Sequence, residues 1–368
     1  MASTNAAAAE AALPPPSSSA GPLAWMKRNL FATPFDTVLT ILVVLFLAWV
    51  IPPLLRWAIF DATIAGQTKD ACTFDGACWT VVKVRFGQFI YGLYPPESRW
   101  RVNIVALLVI LAMVPLFFDW MKQKLLYGAL LLILLPVIGD FILAGGWGGL
   151  RFVETNLWGG LFLTLVISLV GIAASLPIGV ALALGRRSNM PIIKAICVTV
   201  IEIVRGVPLI TVLFMASVML PLFFPPGWSV DKLTRALIGV SIFSGAYMAE
   251  VIRGGLQAIP KGQYEAAEAM GLNYWQSMGL IILPQALRLV IPGIVNTFIG
   301  LLKDTSLVLI MGLYDLLGIA RMIVASPEWL GKSIETYIAA GFGFWIFCYA
   351  MSRYSQHLER KLQTGHKH

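Results

Sequence analysis

The sequence predicts an all-α integral membrane protein of about eight transmembrane helices, and three observations lead there. Hydrophobic residues make up 58% of the chain and charged residues 12%, with a mean hydropathy of +0.80, far from the composition of water-soluble globular proteins. Apolar stretches near the ~20 residues a helix needs to span a bilayer recur along the whole length. From about residue 157 onward these stretches also collect glycine, proline and ionisable residues, as the working part of a transporter does.

The stretches centre on 37–55, 103–118, 125–144, 161–184, 201–224, 236–256, 289–311 and 335–354. Ahead of the first, residues 1–30 form a cytoplasmic tail rich in Ala, Ser and Pro, including Pro14-Pro15-Pro16 and Ser17-Ser18-Ser19, and are expected to be disordered. The tail lacks the charged start and compact apolar core of a secretory signal, so the first span reads as a retained anchor. Lys27 and Arg28 precede that span, Lys122 and Lys124 follow the second, and Arg186, Arg187 and Lys194 follow the fourth. Counting positive flanks places all three sites in the cytoplasm, together with Lys261, Glu265 and a tail, 357–368, that follows Arg353 and holds Arg360 and Lys361. Both termini are therefore expected inside. The net charge of +8 is accounted for by these flanks, and no aromatic-basic platform points to nucleic acid.

An exterior loop, 59–101, joins the first two spans and holds Cys72 and Cys78. An oxidising exterior compartment would permit a disulfide there; two free thiols are the alternative. Cys197 and Cys348 stand isolated in apolar sequence and read as packing residues. The first three spans, within 31–150, are rich in Leu and Val and read as an accessory bundle, with Asp140 the exception. A glycine cluster around Trp147 marks a boundary near 145–155. The remainder, 151–356, reads as the transport core.

Within that core, 257–288 lies between two spans and is too polar for lipid. Gln263 to Met270 are good helix formers, and Gly271 stands where a helix takes a left-handed terminating residue. Asn273 can then cap a second helix, with Gln276 three residues on completing a capping box. Ala266 and Ala267 keep one face of the first helix thin, while Tyr264 and Glu265 supply an apolar and an acidic handle. The segment reads as a docking element for another protein, with an interfacial helical hairpin as the alternative.

Glu265-Ala266-Ala267, Gly271, Leu283 and Pro284 resemble the EAA loop of ABC importer permeases. Arg205-Gly206-Val207-Pro208-Leu209, Phe243-Ser244, Ala246-Tyr247, Ala249-Glu250, Arg253-Gly254, Gly262-Gln263, Leu283-Pro284-Gln285-Ala286, Arg288, Asn296 and Lys303-Asp304-Thr305-Ser306-Leu307 extend the resemblance to the polar amino acid importer permeases, over about 159–354. The longer N-terminal part resembles the permease subunits of general L-amino-acid transport systems. The resemblance implies a C-terminal five-helix type I importer core preceded by three accessory helices, in a bacterial inner membrane. It implies ATPase coupling through Gln263, Tyr264, Glu265, Ala266, Ala267, Met270, Gly271, Leu283 and Pro284. It further implies a second permease subunit, either a related chain or a second copy, two cytoplasmic ATPases that hold the ATP and Mg, and a periplasmic amino-acid-binding protein. No cofactor is expected in this chain.

Charges within the spans admit two readings. Asp304, Thr305 and Ser306 could line a path for a zwitterion, or Lys303 and Asp304 could belong to a network that holds helices together. Asn296 joins them as a candidate. Glu250 and Arg253, three apart, suggest a local ion pair, which Glu202 and Arg205 would repeat on the preceding span, giving either an inner gate or a brace. Gly206 and Pro208 suggest a break in that helix, and such breaks can expose backbone groups to a substrate.

Leu330-Gly331-Lys332-Ser333 resembles the end of a phosphate loop, but Ser326 stands where the pattern needs glycine. The three histidines, His357, His366 and His368, all fall in the tail, and no Cys/His spacing suggests a metal. Together with the resemblance, which implies a pore subunit, these absences lead to the expectation of a non-catalytic chain. A secondary transporter would share the intramembrane charges without needing the loop, a membrane enzyme would need clustered catalytic carboxylates or histidines, and cargo such as opines fits the same family.

Overall fold

In a computed structural model of the chain the described residues are 21–72, 75–117, 123–225 and 230–363. The expectations for residues 1–20, Lys122, His366 and His368 fall outside them. The chain forms two compact units, 1–66 with 70–79, and 67–69 with 80–368.

The first unit begins with α1 (Pro22–Leu30) and α2 (Pro34–Leu55). Thr33 and Asp36 form a capping box at the start of α2, each side chain accepting from the other's backbone N–H at 3.1 and 3.2 Å. No residue of α2 is buried, as suits a helix whose apolar surface is met by lipid. Pro52 and Pro53 deprive its last turn of donors, and it widens into a π turn over Arg56–Phe60. Beyond it, the Ala77 N–H donates to the Trp57 carbonyl at 2.9 Å and the Trp79 indole to the Ala58 carbonyl at 2.8 Å. A disulfide joins Cys72 to Cys78, with the Cα atoms 5.5 Å apart.

The second unit opens with α3 (Thr80–Tyr91), where an exterior loop was expected. Val81 and Phe89 are buried, and the helix packs on three helices of the core described below. Next come α4 (Arg99–Phe117) and α5 (Lys124–Ala144), which pair with each other. The glycine-rich turn after α5 does not separate compact units, since both its sides belong to the second.

The core is built on α6 (Gly160–Arg186), which makes its most extensive contact with α9 (Lys232–Ala258). Small residues allow this. A Cβ on Gly179 would lie 2.6 Å from Met248, and one on Gly245 2.4 Å from Ile178. Between them stand α7 (Pro191–Gly206) and α8 (Leu209–Val218), where a single span over 201–224 was expected. They meet at 104°, because Pro208 has no amide to continue α7 and starts α8 instead. After α9 the chain forms α10 (Lys261–Ala269), α11 (Tyr274–Gln276), a π segment over Ser277–Ile282 and α12 (Leu283–Leu289). Then α13 (Ile291–Asp304) runs into a 3-10 stretch over Thr305–Met311, closed by Gly312. A two-residue strand, β1 (Tyr314–Asp315), leads into α14 (Leu316–Ala325), and α15 (Ser333–Gln363) is the last element.

Among the described residues seven helices are long and apolar enough to cross a membrane, and the bent pair α7–α8 raises the number to eight. Two buried clusters hold the second unit together. One gathers Tyr94, Trp158, Phe162, Ile167, Leu213 and Val308, and the other Ile201, Met248, Ile252, Leu256, Met278 and Ile282.

Candidate functional site

The loop over 257–288 folds as a capped helical hairpin. Helix α10 ends at Ala269, and Gly271 takes φ +74°, a conformation open to glycine but strained for L side chains. Its N–H donates to the Glu268 carbonyl at 2.9 Å, and the Leu272 N–H reaches Ala267 at 3.2 Å, so the last carbonyls of α10 are satisfied. Asn273 Oδ1 accepts from the Gln276 N–H at 2.9 Å and Gln276 Oε1 from the Asn273 N–H at 3.0 Å, closing the capping box. The return arm widens into its π segment just before Pro284, which lacks the amide an α-helix would use there.

The hairpin is tied to the body of the protein from one side. Ala267 is fully buried, so it does not offer a thin outer face. Tyr264 also turns inward: its hydroxyl donates to the Leu256 carbonyl and accepts from Arg187 Nη1, both at 3.0 Å, and the Arg187 guanidinium lies 5.5 Å from its ring centre. Gln285 Nε2 donates to Gln263 Oε1 at 3.1 Å, joining the two arms. The other side is open. Glu265, Ala266, Glu268 and Met270 are exposed, and so are Tyr274 and Trp275, the latter 72% accessible and edge-on to Tyr274. An apolar and acidic patch of this kind suits docking to another protein.

Of the two ion pairs the spacing suggests, Glu250 with Arg253 forms and Glu202 with Arg205 does not. Glu202 bonds Arg186 Nη1 at 2.9 Å, across from the end of α6, rather than Arg205 on its own helix. Glu250, whose side chain is only 15% exposed, is the centre. Its Oε1 accepts from Arg186 at 2.9 Å, while its Oε2 faces Arg253 at 2.9 Å and Arg205 at 3.6 Å. The Arg205 guanidinium also lies over the Tyr247 ring at 5.4 Å. Three guanidiniums around one carboxylate, with Glu202 outside them, join α6, α7 and α9 at one level. Arg186 was legible only as a flanking charge, because its partners lie 16 and 64 residues away.

On α13, Asn296 and Lys303 are exposed and seven residues apart, hence on one face of the helix. Asp304 is half-buried, and among the described residues no ion pair joins it to Lys303. Thr305 is buried and spends its hydroxyl on the Leu302 carbonyl at 2.8 Å; Ser306 is half-buried. These residues remain a line along α13 and its 3-10 extension, apart from the Glu250 cluster's network. Among the described residues no group of three or more His, Cys, Asp or Glu could hold a metal ion.

Comparison with known proteins gives this geometry a family. Residues 175–364 match the model of the binding-protein-dependent transport system inner membrane component. The chain is 53% identical over 343 residues to the inner membrane amino-acid ABC transporter permease protein YhdY of Escherichia coli (strain K12), covering 93% of this chain and 94% of that one. It is 39% identical to the glutamate/glutamine/aspartate/asparagine transport system permease protein BztC of Rhodobacter capsulatus, with 96% of each chain covered. Among solved structures, a chain of an amino acid ABC transporter with histidines aligns at a TM-score of 0.49 and 30% identity, over 55% of this chain and 92% of that chain. The capped hairpin and the helices around it are thus parts of an ABC transporter permease subunit rather than of an enzyme, and the chain belongs to the family of inner membrane components of binding-protein-dependent transport systems.

Proposed function

We propose that this permease subunit imports amino acids across a bacterial inner membrane and is driven by a separate ATPase that docks on α10. The capped hairpin carries this reading. Its inner side is bonded to the protein through Tyr264 and buries Ala267, while Glu265, Met270 and Trp275 stand free to meet a partner. Amino acids as cargo rest on the names of the relatives at 53% and 39% identity. The positive flanks at Lys27, Arg28, Arg186 and Arg187 support a cytoplasmic hairpin with both termini inside. The assembly would comprise a second permease subunit, two ATPases holding ATP and Mg, and a periplasmic binding protein. Closure of the ATPases would draw α10 with it and tilt α9 and α13, opening the pore outward to receive cargo; hydrolysis would return it inward. A hairpin whose turn is capped on both of its sides, by Gly271 and by Asn273 with Gln276, can act as the lever.

Pull-down of the tagged chain from its native membrane, with mass spectrometry of what accompanies it, tests the reading. An ATPase and a second permease should be recovered, and Gly271→Pro and Glu265→Lys should each lose the ATPase. Recovery of the chain alone would overturn the docking role and favour a transporter driven by an ion gradient.

A further inference from the structure

Helix α6 ends in two consecutive arginines whose side chains diverge to different helices. Arg186 holds Glu202 on α7 and Glu250 on α9, both at 2.9 Å. Arg187 donates to the Tyr264 hydroxyl on α10 at 3.0 Å and lies against its ring. Glu250 in turn faces Arg205 at 3.6 Å, and Arg205 is two residues before Val207 and three before Pro208, where α7 and α8 meet at 104°. The contacts therefore form an unbroken line from α10, through Tyr264, Arg187, Arg186, Glu250 and Arg205, to the bend.

We propose that Arg186 and Arg187 are positioning residues that transmit the displacement of α10 to the α7–α8 bend, so that ATPase movement and rearrangement of the broken helix occur together. The proposal rests on the reading of α10 as the ATPase-docking element. Three features favour transmission over a simple brace. The two arginines are adjacent on one backbone, so a shift of Tyr264 cannot leave Arg186 in place unless Arg187 lets go. Arg186 binds two carboxylates with one nitrogen, and any rotation of its guanidinium must exchange or lengthen one of those bonds. The receiving end is a helix break, which absorbs large dihedral changes where a continuous helix would resist them. Tyr264 adds a direct tie to α9, since its hydroxyl also donates to Leu256 at 3.0 Å.

The test uses the full chain in its assembled complex, with its ATPases, second permease and binding protein, reconstituted in liposomes. The probe is a carbon-14-labelled mixture of L-amino acids, and the quantities read are ATPase retained, ATP hydrolysed and label imported per ATP. Arg187→Gln removes the cation and Arg187→Ala the whole side chain beyond Cβ; both should retain the ATPase at the level of the unaltered chain. Label imported per ATP should fall about tenfold in each, as expected when a coupling of this kind is lost. Arg187→Lys keeps a cation over the ring and should recover part of the loss relative to Arg187→Ala. Unchanged import per ATP in both variants, with the ATPase retained, would overturn the proposal. Loss of the ATPase in the variants alone would also overturn it, by making Arg187 part of docking itself. Failure of the unaltered chain to retain an ATPase would instead remove the docking reading, and this proposal with it.

Discussion

The backbone of Gly92 lies directly against that of Gly159: a Cβ built on Gly92 would stand 2.3 Å from the Gly159 Cα. Gly92 also bridges Trp158 and has φ +61°, so this contact ties the end of α3 to the start of α6. Gly92→Ala should therefore be costly twice, about 1–2 kcal/mol for the left-handed backbone and about 1–3 kcal/mol for the clash. A lower thermal midpoint in detergent should report it. Gly254→Ala, in a helix with open space around it, should leave the midpoint unchanged or raise it slightly.

The Glu250 cluster makes a graded prediction. Glu250→Gln keeps the side chain's shape and leaves three guanidiniums without their central charge, which should destabilise the protein by about 3 kcal/mol. Glu202 meets a single guanidinium from a side chain that is 56% exposed, so Glu202→Gln should be worth less than about 1 kcal/mol. Thermal midpoints of the two variants, measured side by side, should differ in that order. Equal losses would mean that the network is not centred on Glu250.

Legibility in the sequence followed the range of the interactions. The hairpin's turn and caps could be read, because Gly271, Asn273 and Gln276 act through bonds three to five residues long. The bend between α7 and α8 was signalled by Pro208, although its angle was not. By contrast α3 was read as loop, since its register is set by burial of Val81 and Phe89 against helices far along the chain. Glu202 was assigned to Arg205 by helical spacing, and the assignment failed because Arg186 on α6 stands closer in space. Ala267 was expected to face a partner. Whether an alanine on a short helix lies outward or is covered depends on how that helix packs on the rest of the chain, and no local pattern encodes that.

The hairpin's caps should be separable from its docking residues. Asn273→Ala removes the acceptor for the Gln276 N–H and should destabilise the return arm by about 1 kcal/mol. Gly271→Val forces a β-branched residue to a φ of +74° and should cost more. Amide hydrogen exchange over 261–283 should quicken in both variants, and more in the second. Trp275→Ala, at an exposed position, should leave exchange unchanged while weakening recovery of the ATPase.

Asp315 gives the protein a pH dependence outside the spanning helices. Its carboxylate caps α14, accepting from Gly318 N–H at 2.8 Å and Leu317 N–H at 3.3 Å, and it is fully buried. Burial pushes its pKa from 3.8 up to about 6, against the opposing pull of those two bonds and of Arg321. The native state therefore holds the proton more tightly than the unfolded one, so the stabilising contribution is complete below about pH 4 and is lost as pH rises through 6. Over that window the group should be worth about 3 kcal/mol. In the unaltered chain the thermal midpoint should fall between pH 4 and pH 6.5. Asp315→Asn keeps an acceptor for the cap and removes the titration, so its midpoint should lose this part of the slope. A slope identical in the two proteins would assign the pH dependence to other groups.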